Sequence, residues 1–262
     1  MSEDHPPNPG AMLDLIFTPE NRDWLNREHP SLKVGDDGGI VKLTGKLRFD
    51  MVFDKETDQF IIFPKKYLGK GIRIQDEYEV EILLLKSRVS DLPQVFETDS
   101  RIRTLAEDKK LPLADFHLNG DGSVCLCVAG KEREYFPDGF DIQIFFNQLV
   151  VPFFYAQTYV QKFGAWPWGE YGHGVLGIFE WYNEKQSLTK SEVEQMIQTF
   201  KSAPDWPLIV TKFKGSYKIK GHMDCICGKN MKIRKCHPLA FEGMWKFKND
   251  LTKFSLEYEL FA

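Results

Sequence analysis

No stretch of this chain approaches the roughly 18 consecutive apolar residues that a membrane span requires. Its opening, MSEDHPPNPGAM, is acidic and proline-rich with no apolar core. Neither a secretory leader nor a membrane helix is expected, and a soluble, cytoplasmic protein is. Cysteine is scarce and odd in number: five thiols in 262 residues do not make a disulfide scaffold, which leaves metal ligation, nucleophilic chemistry or core packing for them. Neither G-x-S-x-G nor G-x-x-x-x-G-K-[ST] occurs, so a nucleophile-elbow hydrolase and ATP hydrolysis on a phosphate loop are both excluded as readings. Internal repeats and low-complexity tracts are absent as well.

What is present describes a folded protein. Hydrophobic residues make up 42%, aromatic residues 14% and charged residues 27%, a composition that can bury one large core or two small ones. The net charge of −4 conceals an asymmetry. Residues 211–237 hold eight Lys and Arg against the single Asp224, a local +7 that leaves −11 on the remainder.

The expected organisation follows from pattern. Residues 1–17 read as a flexible start. TPENRDWLNREHPSL (18–32) has a Thr before Pro and Glu, which opens a short helix, and Pro30 closes it. Alternation over 40–54, 58–64, 70–87 and 94–97 predicts a four-stranded antiparallel meander. Residues 98–139 lose regular periodicity, with NGDG (119–122) as a tight turn, and 140–164 is dense enough in apolar residues for a buried helix broken near Pro152. Residues 189–202 form an amphipathic helix capped by Thr189 or Ser191, with Val193, Met196, Ile197 and Phe200 on its apolar face. A boundary near APDWP (203–207) is expected to separate a body, 18–205, from a basic tail, 206–262.

In the tail, HMDCICGKNMKIRKCH places Cys225, Cys227, Cys236 and His237 in the spacing C-x-C-x8-C-H. Two close ligand pairs joined by a short loop containing Gly228 let a small peptide wrap a tetrahedral ion, and four protein ligands leave no open position for water, so a structural zinc site is expected. The stretch resembles the SEC-C motif, a zinc module first recognised at the C-terminal end of the bacterial preprotein translocase motor, whose pattern reads C-x-C-x8-C-[CH]. That resemblance implies a protein-binding tag. The surrounding lysines and Arg234 are either a solvated basic face or a dock for an acidic partner or nucleic acid; nucleic acid is the less expected, because no aromatic-interleaved surface accompanies the charge.

In the body, LADFHLNGDGSVCLCV (113–128) places His117 and Asn119 before a glycine turn and Cys125 six residues after Asn119. This arrangement resembles the ubiquitin-conjugating enzymes, whose active region reads H-P-N, a Gly-containing turn, then C-L. The likeness is nearest to divergent prokaryotic members of that class, and its further marks are LVVPFFYAQTYV (149–160) and WPWGEYGHG (166–174). Leu118 stands where the family has its middle Pro, and the family's usual Trp before the Pro is absent. The resemblance implies an α+β, ubiquitin-conjugating-enzyme-like fold: an N-terminal helix, a four-stranded meander, C-terminal helices and a small zinc-knuckle tail. It also implies a cysteine that carries a modifier as a thioester and passes it to an amine. Cys125 would be the nucleophile, Asn119 the oxyanion donor through its side-chain amide, and His117 a brace for the loop. The implied partners are a ubiquitin-like modifier, a separate activating enzyme and an acceptor protein, and bacterial relatives often sit in antiphage defence operons.

Each residue also has a plainer reading. Cys125 between Val124 and Leu126 reads equally as a core thiol on an apolar strand, and His117 with Asn119 as an ordinary Asx turn. Cys127 is core, a disulfide neighbour or a substitute nucleophile. A second metal site on Cys125, Cys127 and His117 lacks a clear fourth ligand. Tyr171 and His173 either pack a tight loop or fold over Cys125 to orient the amine. The alternative function is a non-catalytic adaptor on the same fold, with the zinc tail recruiting a partner.

Overall fold

The computed structural model describes residues 16–37, 40–62, 67, 69–85, 92–214 and 218–261. Residues 1–15, most of the start expected to be flexible, lie outside the described residues. Ile16 and Phe17, expected in that start, are instead buried, and their carbonyls accept from Asn21 and Arg22 of the first helix. The chain divides into two units: residues 1–126 with 134–168, and residues 127–133 with 169–262.

The first unit opens with α1 (Pro19–Glu28), whose Thr18 hydroxyl accepts from the Asn21 N–H while proline occupies its first turn. A strand the sequence did not announce, β1 (Leu32–Asp37), comes next, followed by β2 (Ile40–Asp54), β3 (Gln59–Ile62), β4 (Ile72–Leu85) and β5 (Gln94–Glu97). The sheet path is β1-β2-β4-β5, all antiparallel. β1 pairs with residues 40–45 of β2, and β3 with residues 51–54 of the same strand. The expected four strands are thus corrected in membership. β1 is the missing member of the meander, and β3 is a short side pairing off its path.

β2 and β4 alternate along most of their length, until Met51, Val52 and Phe53 are buried in succession near the end of β2. Val41, Leu43, Leu47, Phe49 and Met51 are buried, as are Ile74, Tyr78, Val80, Ile82 and Leu84 opposite them. The other face bears ion pairs such as Lys42 to Glu81 and Arg48 to Glu77. One packed and one solvated face is what antiparallel sheets permit. The expected irregular stretch after β5 contains a helix, α2 (Arg101–Lys109), and Arg101 ties it to the sheet through Asp76 at 2.6 Å.

The buried helix expected over 140–164 is present but does not break at Pro152. A short turn (Ile142–Ile144) runs into a π-helical stretch (Phe145–Val150) and then α3 (Val151–Phe163). The Val151 N–H reaches Phe146 O, five residues back. The widened turn accommodates the proline that an α-helical turn would have rejected. α3 packs on the sheet through Phe154 against Tyr78, 4.7 Å between centroids, and through Thr158, which donates to Asp76 at 2.7 Å.

The second unit is helical: α4 (Val175–Glu184), α5 (Lys190–Ser202) and α6 (Pro238–Phe254). α5 opens with a capping box between Thr189 and Glu192 and buries Val193, Met196, Ile197 and Phe200, as its pattern predicts. Phe179, Phe200, Phe213 and Phe247 form its aromatic centre, and Cys225 and Ile233 belong to the same buried cluster. The boundary expected near 205 therefore moves. The apolar faces of α4 and α5 are completed by residues 206–260, so the break falls after Trp168. Among the described residues, no helix is long and apolar enough to cross a membrane.

Candidate thiol hairpin and metal centre

The segment 117–125 is a hairpin at the β5 edge of the first unit. Cys125 N–H donates to His117 O at 2.7 Å and Asn119 N–H to Ser123 O at 2.8 Å, with Leu118 and Val124 bridged between them. Val124 N–H continues the pairing to Val95 O of β5 at 2.8 Å. Leu118 and Val124 are buried, while Cys125 and His117 are half-buried and Asn119 is exposed. The bridged pair is thus buried together with Ser123, while His117, Asn119 and Cys125 keep some exposure.

Asp121 holds the turn. Its Oδ1 accepts from the Ser123 N–H at 2.9 Å and hydroxyl at 2.7 Å, and these bonds keep its carboxyl below the usual range. The Asn119 amide donates to Ser123 Oγ at 3.0 Å. His117 takes a left-handed backbone, φ 54°, at the end of a 3-10 turn (Leu113–Phe116), and its ring meets Trp166 edge-on at 5.4 Å. Beneath it, buried Gln157 of α3 donates Nε2 to Phe116 O at 2.9 Å. Sequence reasoning does not single out Gln157 or Trp166 as parts of this site; for Gln157 the signal is a lone amide inside the apolar run VVPFFYAQTYV.

The remaining sequence candidates lie in the second unit. Cys127 is half-buried there. The Tyr171 hydroxyl donates to Glu184 at 2.7 Å and accepts from Lys131 Nζ at 2.8 Å, and that ammonium also lies 4.5 Å from the ring centroid. His173 is exposed. All five cysteines are described, and none forms a disulfide.

The metal donors converge. Ligand atoms of Cys225, Cys227, Cys236 and His237 lie within 4.8 Å of one another, with Cys225 Sγ 3.2 Å from His237 Nδ1 and Cys227 Sγ 3.4 Å from Cys236 Sγ. Among the described residues, this is the one cluster of three or more such donors that could hold a metal ion. A two-rung pairing builds it. Cys225 N–H donates to Met231 O at 2.9 Å and Ile233 N–H to Met223 O at 3.0 Å, and Gly228 at φ 78° lets the chain reverse. Cys236 closes a one-turn helix (Ile233–Cys236), and His237 is the residue on which α6 begins.

Burial pushes the Cys225 thiol up to about 12, so a metal ion would have to displace its proton on binding. Burial, joined by the charge of Lys229, holds His237 below the ordinary histidine range and favours the neutral, ligating imidazole. No protein-family model, curated protein or solved structure matches this chain. The residues themselves carry the functional argument.

Proposed function

We propose that this protein is a ubiquitin-conjugating-enzyme-like transferase that carries a modifier as a thioester on Cys125, with a structural zinc ion in the second unit. The supporting observation is the 117–125 hairpin, which sets a half-buried cysteine one residue beyond the edge pairing of an antiparallel meander, opposite His117 and with Asn119 on the same facing arm. The order of elements supports the same reading: a helix, four strands each beside the next along the sheet path with β3 paired off it, then, after the interposed α2, a cysteine-bearing hairpin and a long helix laid on the sheet.

In the loading step, Cys125 Sγ attacks the thioester carbonyl carbon presented by an activating enzyme. A new C–S bond forms and the donor thiolate leaves. In the transfer step, an acceptor amine attacks the same carbon, an amide forms, and the Cys125 thiol is released. Each step passes through an oxyanion, for which the neutral amide of Asn119 is the donor once it leaves Ser123 Oγ. The activating enzyme, the modifier and the acceptor protein are separate partners.

Zinc fits the donor set. Bonds of about 2.3 Å to sulfur and 2.0–2.1 Å to nitrogen imply tetrahedral edges of about 3.5–3.8 Å, inside the span the four ligand atoms occupy. Four protein ligands make a closed site that stabilises the fold and takes no part in the transfer chemistry.

One observation favours the adaptor instead: the Asn119 amide is already engaged by Ser123. One experiment separates the two. Cys125→Lys is expressed in the native host with its neighbouring genes, and the intact mass is measured, since an amine at that position traps the modifier as a stable amide. A discrete adduct mapping to residue 125 is expected. An unmodified mass, with wild-type Cys125 also unmodified under non-reducing conditions, overturns the transferase and leaves the adaptor.

A further inference from the structure

His237 directs Nδ1 at Cys225 Sγ, 3.2 Å away, so its opposite ring edge, Cδ2 and Nε2, is turned from the four donors. That edge rests on the backbone of Gly172. A Cβ placed there would lie 3.1 Å from His237 Cδ2, 3.3 Å from Nε2 and 3.3 Å from Leu176 Cβ. The φ of Gly172 lies outside the left-handed region, so the backbone itself would accept alanine and the obstruction is contact alone.

The Gly172 peptide is not free to retreat. Its N–H donates to Glu180 Oε2 at 2.5 Å, and Glu180 is a buried carboxylate on α4. Its carbonyl lies where a Cβ on Gly177 would approach to 2.0 Å, so loop and helix meet backbone to backbone. Three residues on, Val175 N–H is held by Asp205 at 2.9 Å.

We propose that Gly172, clamped by Glu180, is a positioning residue for the metal ligand His237, so that metal binding and the docking of the 169–174 loop are coupled. The proposal rests on the metal reading above. An imidazole that is not ligated can swing away from an added methyl group at little cost. Once Nδ1 is bound, the ring plane is fixed and the methyl group has nowhere to go. The penalty of Gly172→Ala therefore appears in the loaded state, and the outer shell of a metal ligand commonly changes affinity 10–100-fold, here on the order of 10-fold or more. Linkage requires the reverse effect too: metal must protect the Gly172 amide.

The test uses the full chain and Zn²⁺ or Co²⁺ alone. Metal affinity by chelator competition, the cobalt absorption spectrum and the melting temperature with and without metal are compared for four variants. Gly169→Ala, with nothing within 4 Å of its added Cβ, is the control in the same loop. The expected result is a 10–100-fold weaker affinity and an altered cobalt spectrum for Gly172→Ala, with the melting loss larger in the loaded than in the apo protein. Glu180→Gln, which keeps an acceptor for the Gly172 N–H, should rescue what Glu180→Ala loses. Hydrogen exchange at Gly172 should slow when metal is added. Wild-type affinity and spectrum in Gly172→Ala, or equal losses in the apo and loaded states, overturn the coupling alone. A wild-type chain that takes up no stoichiometric metal overturns the metal reading and the coupling together.

Discussion

Acidification should destabilise the first unit through His29, and the size of the effect can be worked out in advance. His29 follows α1 and is 2% exposed, its ring 4.7 Å from Phe146 and 5.4 Å from Trp24. Burial lowers its pKa to about 4 from the ordinary 6.5, with the charge of Glu28 opposing. Between those values the unfolded chain binds a proton that the folded chain refuses. Stability from this group is complete above pH 6.5 and is lost as the pH falls towards 4. At about 1.4 kcal/mol per unit, the full loss is about 3 kcal/mol. With a denaturant slope of about 1–3 kcal/mol/M, that moves the urea midpoint by about 1–3 M. The assay is the midpoint of the wild type and of His29→Phe at steps from pH 7.5 to 4. Phenylalanine keeps the ring packing and cannot take a proton, and carboxylates that titrate in both proteins cancel. The wild type should lose stability relative to the variant as the pH drops through 6.5. Parallel curves would refute the burial argument.

Other substitutions test the framework of each unit. Gly243→Ala on α6 places a Cβ 1.9 Å from Phe179 O on α4; forcing these helices apart should destabilise the second unit by about 1–3 kcal/mol or more in chemical denaturation. Gln157→Leu removes the donor to Phe116 O and should cost about 1–3 kcal/mol. It should also speed maleimide labelling of Cys125 by loosening the hairpin above it, seen by mass spectrometry of the labelled peptide. Thr189→Ala deletes the cap of α5, with an expected loss of about 1 kcal/mol read from thermal melts.

Some of this protein is written in short segments, because the physics that decides them is local. The C-x-C-x8-C-H spacing brings Cys225, Cys227, Cys236 and His237 together within 13 residues, whatever the rest of the chain does. The Thr18 and Thr189 caps and the alternation of β2 and β4 are legible for the same reason. Other features depend on partners far away in sequence. β1 contains Gly35 and two aspartates, a poor strand by propensity, and exists because β2 offers it an edge. α2 has only Ile102 and Ala106 buried, takes no cap from Ser100, and is held from outside itself, by the Glu97 carboxylate of β5 on its first N–H groups and by Asp76 of β4.

The hairpin chemistry divides in the same way. His117, Asn119 and Cys125 can be picked out one by one from the sequence. That they share one paired turn, anchored below by Gln157 and Trp166, was decided by α3 and β5. The division of the chain was likewise a tertiary decision. α4 and α5 cover each other only in part, through contacts such as Phe179 on Phe200, and residues between 206 and 260 supply much of the rest of their core. Local spacing and capping determine which residues can ligate or cap. Burial of long-range apolar surface decides which elements survive, where the units part, and which backbone comes to rest against His237.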